Sequence, residues 1–200
     1  LCSSLNPADK AFERCARQVG ALSHPDLHFV FPVNTTAEVK KTPRSNDFIS
    51  AWRSFVSQTP YGSLFSWYQH LGIDKKQGSI SVAEAEQMAK TLYLKSYEGG
   101  FKVVIIWMAE KMTTECANKM LKLLEEPPAQ TVFLLLTEHE DQILRTIYSR
   151  CQKLTIPLLS EHDLSQGLMA HHNCTTSEAL RISKIAHGDY FKARQLLANK

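Results

Sequence analysis

The sequence lacks any long apolar run, and no stretch approaches the roughly 20 residues that a membrane-spanning helix needs. It also lacks a charged segment followed by an apolar one at its start, so we expect no secretory signal. Net charge is only +3. So small a charge neither requires nor excludes nucleic-acid binding, which depends on clustered Lys and Arg. These absences predict a cytoplasmic protein without membrane contact.

Cysteine is scarce and scattered. The five cysteines are Cys2, Cys15, Cys116, Cys151 and Cys174. An odd number at wide spacing argues against a disulfide framework of the secreted type. We therefore expect reduced thiols.

Two features of nucleotide-hydrolysing folds are also missing. No G-x-x-x-x-G-K-[ST] phosphate loop occurs, and the paired glycines Gly99 and Gly100 precede a predicted strand rather than a helix. One strand-like stretch ends on Trp107 and Met108, whose side chains can neither coordinate a hard cation nor accept a proton. The chain is therefore not expected to catalyse a reaction by itself.

What is present is an ordinary globular composition, 44% hydrophobic and 22% charged. Four apolar stretches have strand character: "DLHFVFPV" (26–33), "FKVVIIWM" (101–108), "TVFLLLT" (131–137) and "QKLTIP" (152–157). Continuous apolar strands separated by helices indicate a parallel sheet covered on both faces. The fold class is therefore α/β.

Helical spacing lies between these strands, at residues 46–58, 63–71 and 81–96 and in a segment that Pro127 and Pro128 end. Ser81 and Glu84 are spaced as a capping box. The segment before the prolines has one apolar face: Cys116, Ala117, Met120, Leu121, Leu123 and Leu124.

After Pro157 only helical patterns remain. They include a second capping box, from Thr175 to Glu178, and a helix that Gly188 is expected to end. We therefore predict an α/β domain over 1–157 and a small all-helical domain over 158–200.

Four separated pieces of sequence occur in the same order as in a known family: "HPDLHFV", "YEGGFKVVII", "MLKLLEEPP" and "SRCQ". Together they span most of residues 23–157. They resemble the clamp-loader branch of the AAA+ ATPases, and most closely the delta-prime family of bacterial DNA polymerase III subunits. The resemblance implies a P-loop-type parallel sheet flanked by helices and followed by a helical lid.

The same resemblance implies how the α/β part is organised. A degenerate cysteine module would occupy 2–28 and a helical insertion 34–78. The family's N-terminal strand and phosphate loop are not in this chain. That strand would lie between the third and fourth predicted strands, where a partner strand or another part of the same chain should fill the place.

In ATP-hydrolysing relatives an Asp-Glu pair follows the second predicted strand, where Asp helps to hold Mg²⁺ and Glu orients the attacking water. Trp107 and Met108 stand in those places, so the resemblance implies a degenerate Walker B motif. Glu110 lies two positions too far along to act as the base. We expect no nucleotide or other cofactor in this chain, with ATP and Mg²⁺ bound by a neighbouring subunit.

Two further sensing positions of the family depart from an active pattern. Thr137 stands where relatives sense the γ-phosphate, but without a local nucleotide it is expected to be a strand-end hydroxyl. Phe191 occupies the place of a phosphate-sensing Arg. Lys192 and Arg194 are nearby but out of register on a helix, so we expect them to face solvent.

Ser149, Arg150 and Cys151 form the family's Ser-Arg-Cys motif. The resemblance implies that Arg150 projects towards ATP bound in a neighbouring subunit as an arginine finger. A planar, permanently charged guanidinium suits this role because it can meet phosphate oxygens with two parallel hydrogen bonds. Without the family context, the residue would be an exposed Arg interacting with a helix C-terminus.

Cys2 and Cys15 fall where relatives hold zinc with four cysteines. The inner cysteine pair is absent here, and a structural zinc site wants four good ligands. This pattern therefore predicts no zinc site, and two free thiols are expected. Other nearby side chains that could act as ligands are Asp9, Glu13, His24 and His28.

The insertion combines cations with aromatic residues, a mixture that can bind single-stranded nucleic acid. At helical spacing the aromatic residues are more often core, so direct DNA contact is the weaker interpretation. The residues concerned are Lys40, Lys41, Arg44, Trp52, Phe65, Trp67, Tyr68, Lys75 and Lys76.

The function implied is that of a non-hydrolysing clamp-loader subunit. Its partners would be the delta and gamma/tau-type subunits, the sliding clamp and, through the complex, primer-template DNA. One alternative is an ATP-hydrolysing motor subunit of the gamma/tau type in the same complex. Another is a stand-alone zinc-dependent nucleic-acid-binding protein.

Overall fold

The computed structural model describes residues 1–2, 5, 8–97 and 100–199, so Gly99 lies outside the described residues. The strands are β1 Leu27–Val30, β2 Lys102–Trp107 and β3 Thr131–Leu136. The helices are α1 Lys10–Gly20, α2 Ile49–Gln58, α3 Leu64–His70, α4 Val82–Leu92, α5 Thr114–Glu125, α6 Arg145–Tyr148, α7 Glu161–His171, α8 Thr176–Ala186 and α9 Tyr190–Ala198. Short 3₁₀ turns cover Ser45–Phe48, Ala109–Lys111 and Glu140–Gln142.

The three strands form a parallel sheet in the order β1-β2-β3. Val30 lies opposite Ile106, which lies opposite Leu135. Because all strands run the same way, their carboxyl ends meet at one edge of the sheet, and the chain leaves β2 there through Trp107. The predicted fold class, a parallel sheet flanked by helices and followed by helices, is confirmed.

The prediction of a fourth strand at 152–157 is wrong. These residues adopt no regular structure, and Leu154 and Ile156 are 76% and 86% exposed. Within the described residues β3 pairs with β2 alone. A strand is stabilised by its neighbours in the sheet, so an apolar stretch without a pairing partner does not become one.

One face of the sheet packs against α4 and α5. Val104 and Ile106 of β2 are fully buried there, and Met88 and Met120 meet them from the two helices. The apolar face predicted for α5 is confirmed, with four of its six members buried and Leu121 and Leu124 half-buried. The helix ends at Glu125, ahead of the two prolines as predicted.

The other face carries an aromatic cluster made by β1 and the residue after it, by β2 and by the insertion: Phe29, Phe31, Trp52, Phe55, Trp67 and Trp107. Phe31 stacks on Trp52 at a centroid distance of 4.3 Å and meets the edge of Trp67 at 5.1 Å. The Trp67 indole donates a hydrogen bond to the Pro32 carbonyl, so its polar group is satisfied inside the core. The cluster fastens the insertion to the sheet.

The two predicted capping boxes have different outcomes. At α8, Thr175 and Glu178 bond reciprocally as predicted. At α4 the prediction is wrong, since the Ser81 side chain makes no capping hydrogen bond. Glu84 is buried and accepts instead from the backbone N–H of Ser45, at the start of a turn in the insertion. A tertiary contact has replaced the local one.

Contacts between residues divide the chain into two compact units, Leu1–Gln58 with Leu64–Gln152, and Thr59–Ser63 with Lys153–Lys200. The second unit contains α7, α8 and α9 around buried Leu164, Leu168 and Ile182. Helix α8 ends at Ala186, followed by left-handed His187 and by Gly188 at φ +83°. The assignment of 1–157 and 158–200 to separate functional domains stays a prediction. None of the described helices is long and apolar enough to cross a bilayer.

The expectation that Cys2 and Cys15 are free thiols is wrong, because a disulfide joins them. Cys15 lies in α1 and is fully buried, and the two Cα atoms are 5.9 Å apart, an ordinary distance for such a bridge. The wide spacing of the cysteines along the sequence did not indicate that α1 places Cys15 next to Cys2. Cys116, Cys151 and Cys174 are free.

Candidate functional site

Trp107 ends β2 at the carboxyl edge of the sheet, where ATP-hydrolysing members of the resembled family hold an aspartate. Its ring is half-buried in the aromatic cluster, with its centroid 5.1 Å from that of Trp52 and 6.3 Å from that of Phe55. The indole offers no oxygen ligand, whereas Mg²⁺ is bound through oxygen. This position therefore serves packing, and its side chain does not fit a metal.

Met108 follows in a left-handed backbone conformation, at φ +56° and ψ +57°. Its side chain is 3% exposed. Residues other than glycine seldom adopt this conformation. The Met108 thioether lies in the interior rather than at the sheet edge. Neither member of the 107–108 pair therefore presents a group that could hold a hard cation or take a proton from water.

Glu110 comes next, in the 3₁₀ turn after β2, and its carboxylate accepts a hydrogen bond of 2.7 Å from the Thr137 hydroxyl. Thr137 follows β3, and its own oxygen accepts from the backbone N–H of His139 at 3.1 Å. The ends of two parallel strands are thus linked at the same edge. Thr137 is thus a hydroxyl at the end of a strand that bonds to Glu110, and the expectation that Glu110 takes no part in catalysis stays a prediction.

Arg150 lies on the surface just after the short helix α6, which buried Ile147 anchors to the first unit. Its Nε donates to Oε1 of Glu125 at 2.7 Å, and its Nη2 forms an ion pair with the same oxygen. Its Nη1 donates to the Thr146 carbonyl at 2.7 Å. The exposed guanidinium is therefore held within its own unit by the Glu125 carboxylate and the Thr146 carbonyl, and it also contacts the Ser149 hydroxyl at 3.5 Å.

The flanking motif residues Ser149 and Cys151 are also exposed. The Ser149 hydroxyl donates to the Thr146 carbonyl at 3.2 Å, so it supports the turn on which Arg150 stands. Partial burial of its sulfur raises the pKa of the Cys151 thiol. The contact between Arg150 and Thr146 also fits the plainer interpretation, in which an arginine interacts with the last carbonyls of a helix.

In the region of the predicted cysteine module, the described residues form no grouping that suits a metal. Both of its sulfurs are in the disulfide, and Asp9 and Glu13 are exposed. The buried His24 accepts a hydrogen bond at Nδ1 from the backbone of Asp26. Burial lowers the pKa of His28. Among the described residues, no three His, Cys, Asp or Glu side chains come together as a metal site.

In the insertion, Trp52, Trp67 and Tyr68 are buried, as expected of core aromatics, whereas Phe65 is 58% exposed. The lysines at 40, 41, 75 and 76 are exposed, and Lys76 donates to the Thr35 carbonyl at 2.9 Å. With three of the four aromatic rings in the core, most of the predicted stacking surface is absent. Contact with DNA stays a prediction.

In the second unit, Phe191 is half-buried on α9 and Lys192 is exposed. Arg194 is half-buried, so its side chain is only partly open to solvent. Phe191 and Arg194 both line a shallow cavity of about 410 Å³. Phe191 thus occupies the position where the resemblance would place a phosphate-sensing arginine, and Arg194 lies three residues further along the same helix.

The sequence did not reveal two features of this site. One is the contact of Trp107 with the insertion, since 55 positions separate it from Trp52. The other is Glu125, whose partner Arg150 lies 25 residues further along the chain. No periodicity reaches over such distances. One sequence feature could have indicated Glu125, which lies in the quoted piece "MLKLLEEPP" at the end of a predicted helix. A carboxylate there is unusual, because the C-terminus of a helix favours cations.

Comparison with known proteins gives the family. Residues 1–160 match the family model described as DNA polymerase III, delta subunit. Similar proteins include DNA polymerase III subunit delta' of Yersinia pestis, 42% identical over 45% of this chain and 26% of that protein. Another is subunit delta' of Bacillus subtilis strain 168, at 35% over 53% and 36%. A third is DNA polymerase III subunit gamma of Buchnera aphidicola subsp. Schizaphis graminum, at 34% over 58% and 33%.

The matched part spans about a quarter to a third of the length of these relatives. The predicted likeness to delta-prime subunits is confirmed by the names of the first two. Since the family model covers 160 of the 200 residues, the chain belongs to the DNA polymerase III delta-subunit family.

Proposed function

We propose that this protein is a non-hydrolysing, delta-prime-type subunit of the clamp loader that serves bacterial DNA polymerase III. It supplies Arg150 in trans to ATP bound by a neighbouring subunit while the complex loads a sliding clamp at a primer-template junction. Its partners would be delta and gamma/tau-type subunits, and it would be located in the cytoplasm. The family match and the delta' and gamma names of its relatives support a part in that polymerase.

The observation that carries the non-hydrolysing part is the end of β2. Trp107 packs into the aromatic cluster and Met108 is buried, so both side chains at the place of the Asp-Glu pair are part of the protein's own core. Removing the metal-binding acid and the water-orienting acid together leaves no group there for either task. ATP hydrolysis at this position is therefore not expected.

The exposed guanidinium of Arg150 supports the in-trans part. An arginine that reaches a neighbour's γ-phosphate stabilises the charge that develops in the transition state, which is worth about 10³ to 10⁵ in rate where it has been measured. The residue can do so only if its N–H groups are open to another molecule, and Arg150 lies at the surface. A side chain buried within its own unit would not serve.

The rival function in the same complex is that of an ATP-hydrolysing gamma/tau-type motor. Overall similarity does not separate the two, because a gamma subunit is 34% identical over 58% of this chain. Residues 107 and 108 favour the non-hydrolysing subunit. The zinc-dependent nucleic-acid-binding alternative loses its weak candidate ligands to the disulfide between Cys2 and Cys15.

Two assays test the proposal. The isolated full-length protein should show no ATP turnover above background, and turnover that a mutation in its own site abolishes would establish the motor instead. In the reconstituted complex, Arg150→Lys should lower turnover by about tenfold or more, because lysine keeps the charge but loses the planar fork. Full activity of this variant would contradict a bidentate finger.

A further inference from the structure

The carboxylate of Glu125 holds Arg150 by two of its three nitrogens. Oε1 accepts from Nε at 2.7 Å and pairs with Nη2. The third nitrogen, Nη1, donates to the Thr146 carbonyl at 2.7 Å. Because the contacts lie at different edges of a planar group, they fix the plane of the guanidinium as well as its position.

These contacts leave part of the guanidinium available. An arginine has five N–H donors, and one on each of its three nitrogens is engaged by Glu125 or Thr146. One N–H on Nη2 remains, and the second N–H on Nη1 makes only a long contact of 3.5 Å with the Ser149 hydroxyl, which a stronger acceptor can replace. Two N–H groups on adjacent nitrogens are what a bidentate contact with phosphate oxygens requires.

The two side chains come from different elements that pack together. Glu125 is the last residue of α5, and Arg150 follows α6, whose Ile147 is buried. The side chains of Arg150 and Glu125 are 34% and 48% exposed, so the pair lies at the surface and not in the core. Because exposed ion pairs add little to the free energy of folding, stability alone does not explain why these two side chains are paired.

We propose that Glu125 is a positioning residue that orients Arg150 for its contact with the neighbour's ATP. This inference rests on the proposed function of Arg150 as a finger. A long arginine side chain samples many rotamers in water, and a group already held in its productive orientation loses less freedom when the transition state forms. Glu125 itself touches neither nucleotide nor metal.

Steady-state ATP turnover by the reconstituted complex, built with the full-length protein, tests this role. Glu125→Ala should lower kcat by roughly tenfold to a hundredfold with KM little changed, since orientation matters in the transition state. Glu125→Gln should keep part of the activity because its amide oxygen still accepts a hydrogen bond. Glu126→Ala, which removes the adjacent exposed carboxylate, is the matched control and should behave as the unaltered complex.

A double-mutant cycle supplies a result that a general structural defect would not give. Once Arg150 is Ala, the further change Glu125→Ala should have no effect on kcat, because Glu125 acts through Arg150. An additive loss would overturn the proposal. So would a rise in kcat with Glu125→Ala, which would mean that the carboxylate withholds the arginine.

The outcomes separate this inference from the function on which it rests. If Arg150→Ala lowers kcat and both Glu125 variants leave it unchanged, the positioning role fails and the finger stands. If Arg150→Ala itself leaves kcat unchanged, both fail. Equal assembly of all variants into the complex, measured by size-exclusion chromatography, shows that any loss is not one of folding.

Discussion

The ring of Trp107 lies with its centroid 5.1 Å from that of Trp52, so the last residue of β2 packs against the first helix of the insertion. Trp52 is 5% exposed and also stacks on Phe31 of the β1 segment. The sheet edge that could hold a metal-binding acid is instead part of a hydrophobic core. Trp107 therefore both occupies this edge with an apolar ring and attaches the insertion to the sheet.

Trp107→Ala should lower the free energy of unfolding by about 2 to 4 kcal/mol, because it removes a large half-buried ring and leaves a cavity beside Trp52. Trp107→Asp should lower it further, since a carboxylate would face aromatic carbon. Denaturant titration of the purified variants measures both. Phe65→Ala, at an aromatic residue of the insertion that is 58% exposed, should change stability by about 0.5 kcal/mol or less. Equal losses at positions 65 and 107 would contradict the packing role.

Thiol titration should count three reactive cysteines in protein that is unfolded without reductant, and five after reduction, because Cys2 and Cys15 are joined. Cys2→Ser should raise the unreduced count to four by freeing Cys15. In the folded protein Cys116 should stay unreactive at pH 8, because burial raises its pKa to about 12. Five thiols without reduction, or one zinc ion per chain by elemental analysis, would contradict the disulfide.

Glu84 should make stability depend on pH above its ordinary pKa of 4.5. Burial raises the pKa of this carboxyl in the folded protein. Its contribution is therefore complete below pH 4.5 and is lost as pH rises through the raised value. Relative to the unaltered protein, Glu84→Gln should gain stability as pH rises across that window, measured by denaturant titration at a series of pH values.

Glu86, two residues along the same helix, provides a control of opposite sign. Its pKa is lowered by the hydrogen bond and charge of Lys119. Its contribution is present above pH 4.5 and is lost as pH falls through the lowered value, so Glu86→Gln should show no slope above pH 4.5. The same slope for Glu84→Gln and Glu86→Gln would show that burial of Glu84 is not the cause.

The parts of the fold that the sequence predicted are those with local causes. The apolar face of α5 and the capping box of Thr175 and Glu178 depend on spacings of three or four residues, which the chain displays directly. The capping box expected at Ser81 failed because Glu84 found a partner at Ser45, 39 residues away. Residues 152–157 had the composition of a strand but not the neighbour that a strand needs.

The candidate site shows the same division. The resemblance to a family singled out Trp107, Met108 and Arg150 as candidate site residues. In the structure, the first two pack in the core and Arg150 lies at the surface. That Trp107 meets Trp52, and that Arg150 meets Glu125, follows from how distant elements pack. Such pairs carry no periodic signal, so one sequence could not have predicted them.

If the protein lends Arg150 to ATP in a neighbouring subunit, as proposed, kcat for ATP in the reconstituted complex responds most directly. Arg150→Ala should lower kcat by about 10³-fold or more, while Arg145→Ala, which removes an exposed arginine from the start of α6, should leave it unchanged. An unchanged kcat with Arg150→Ala, or an equal loss with both variants, would contradict the claim.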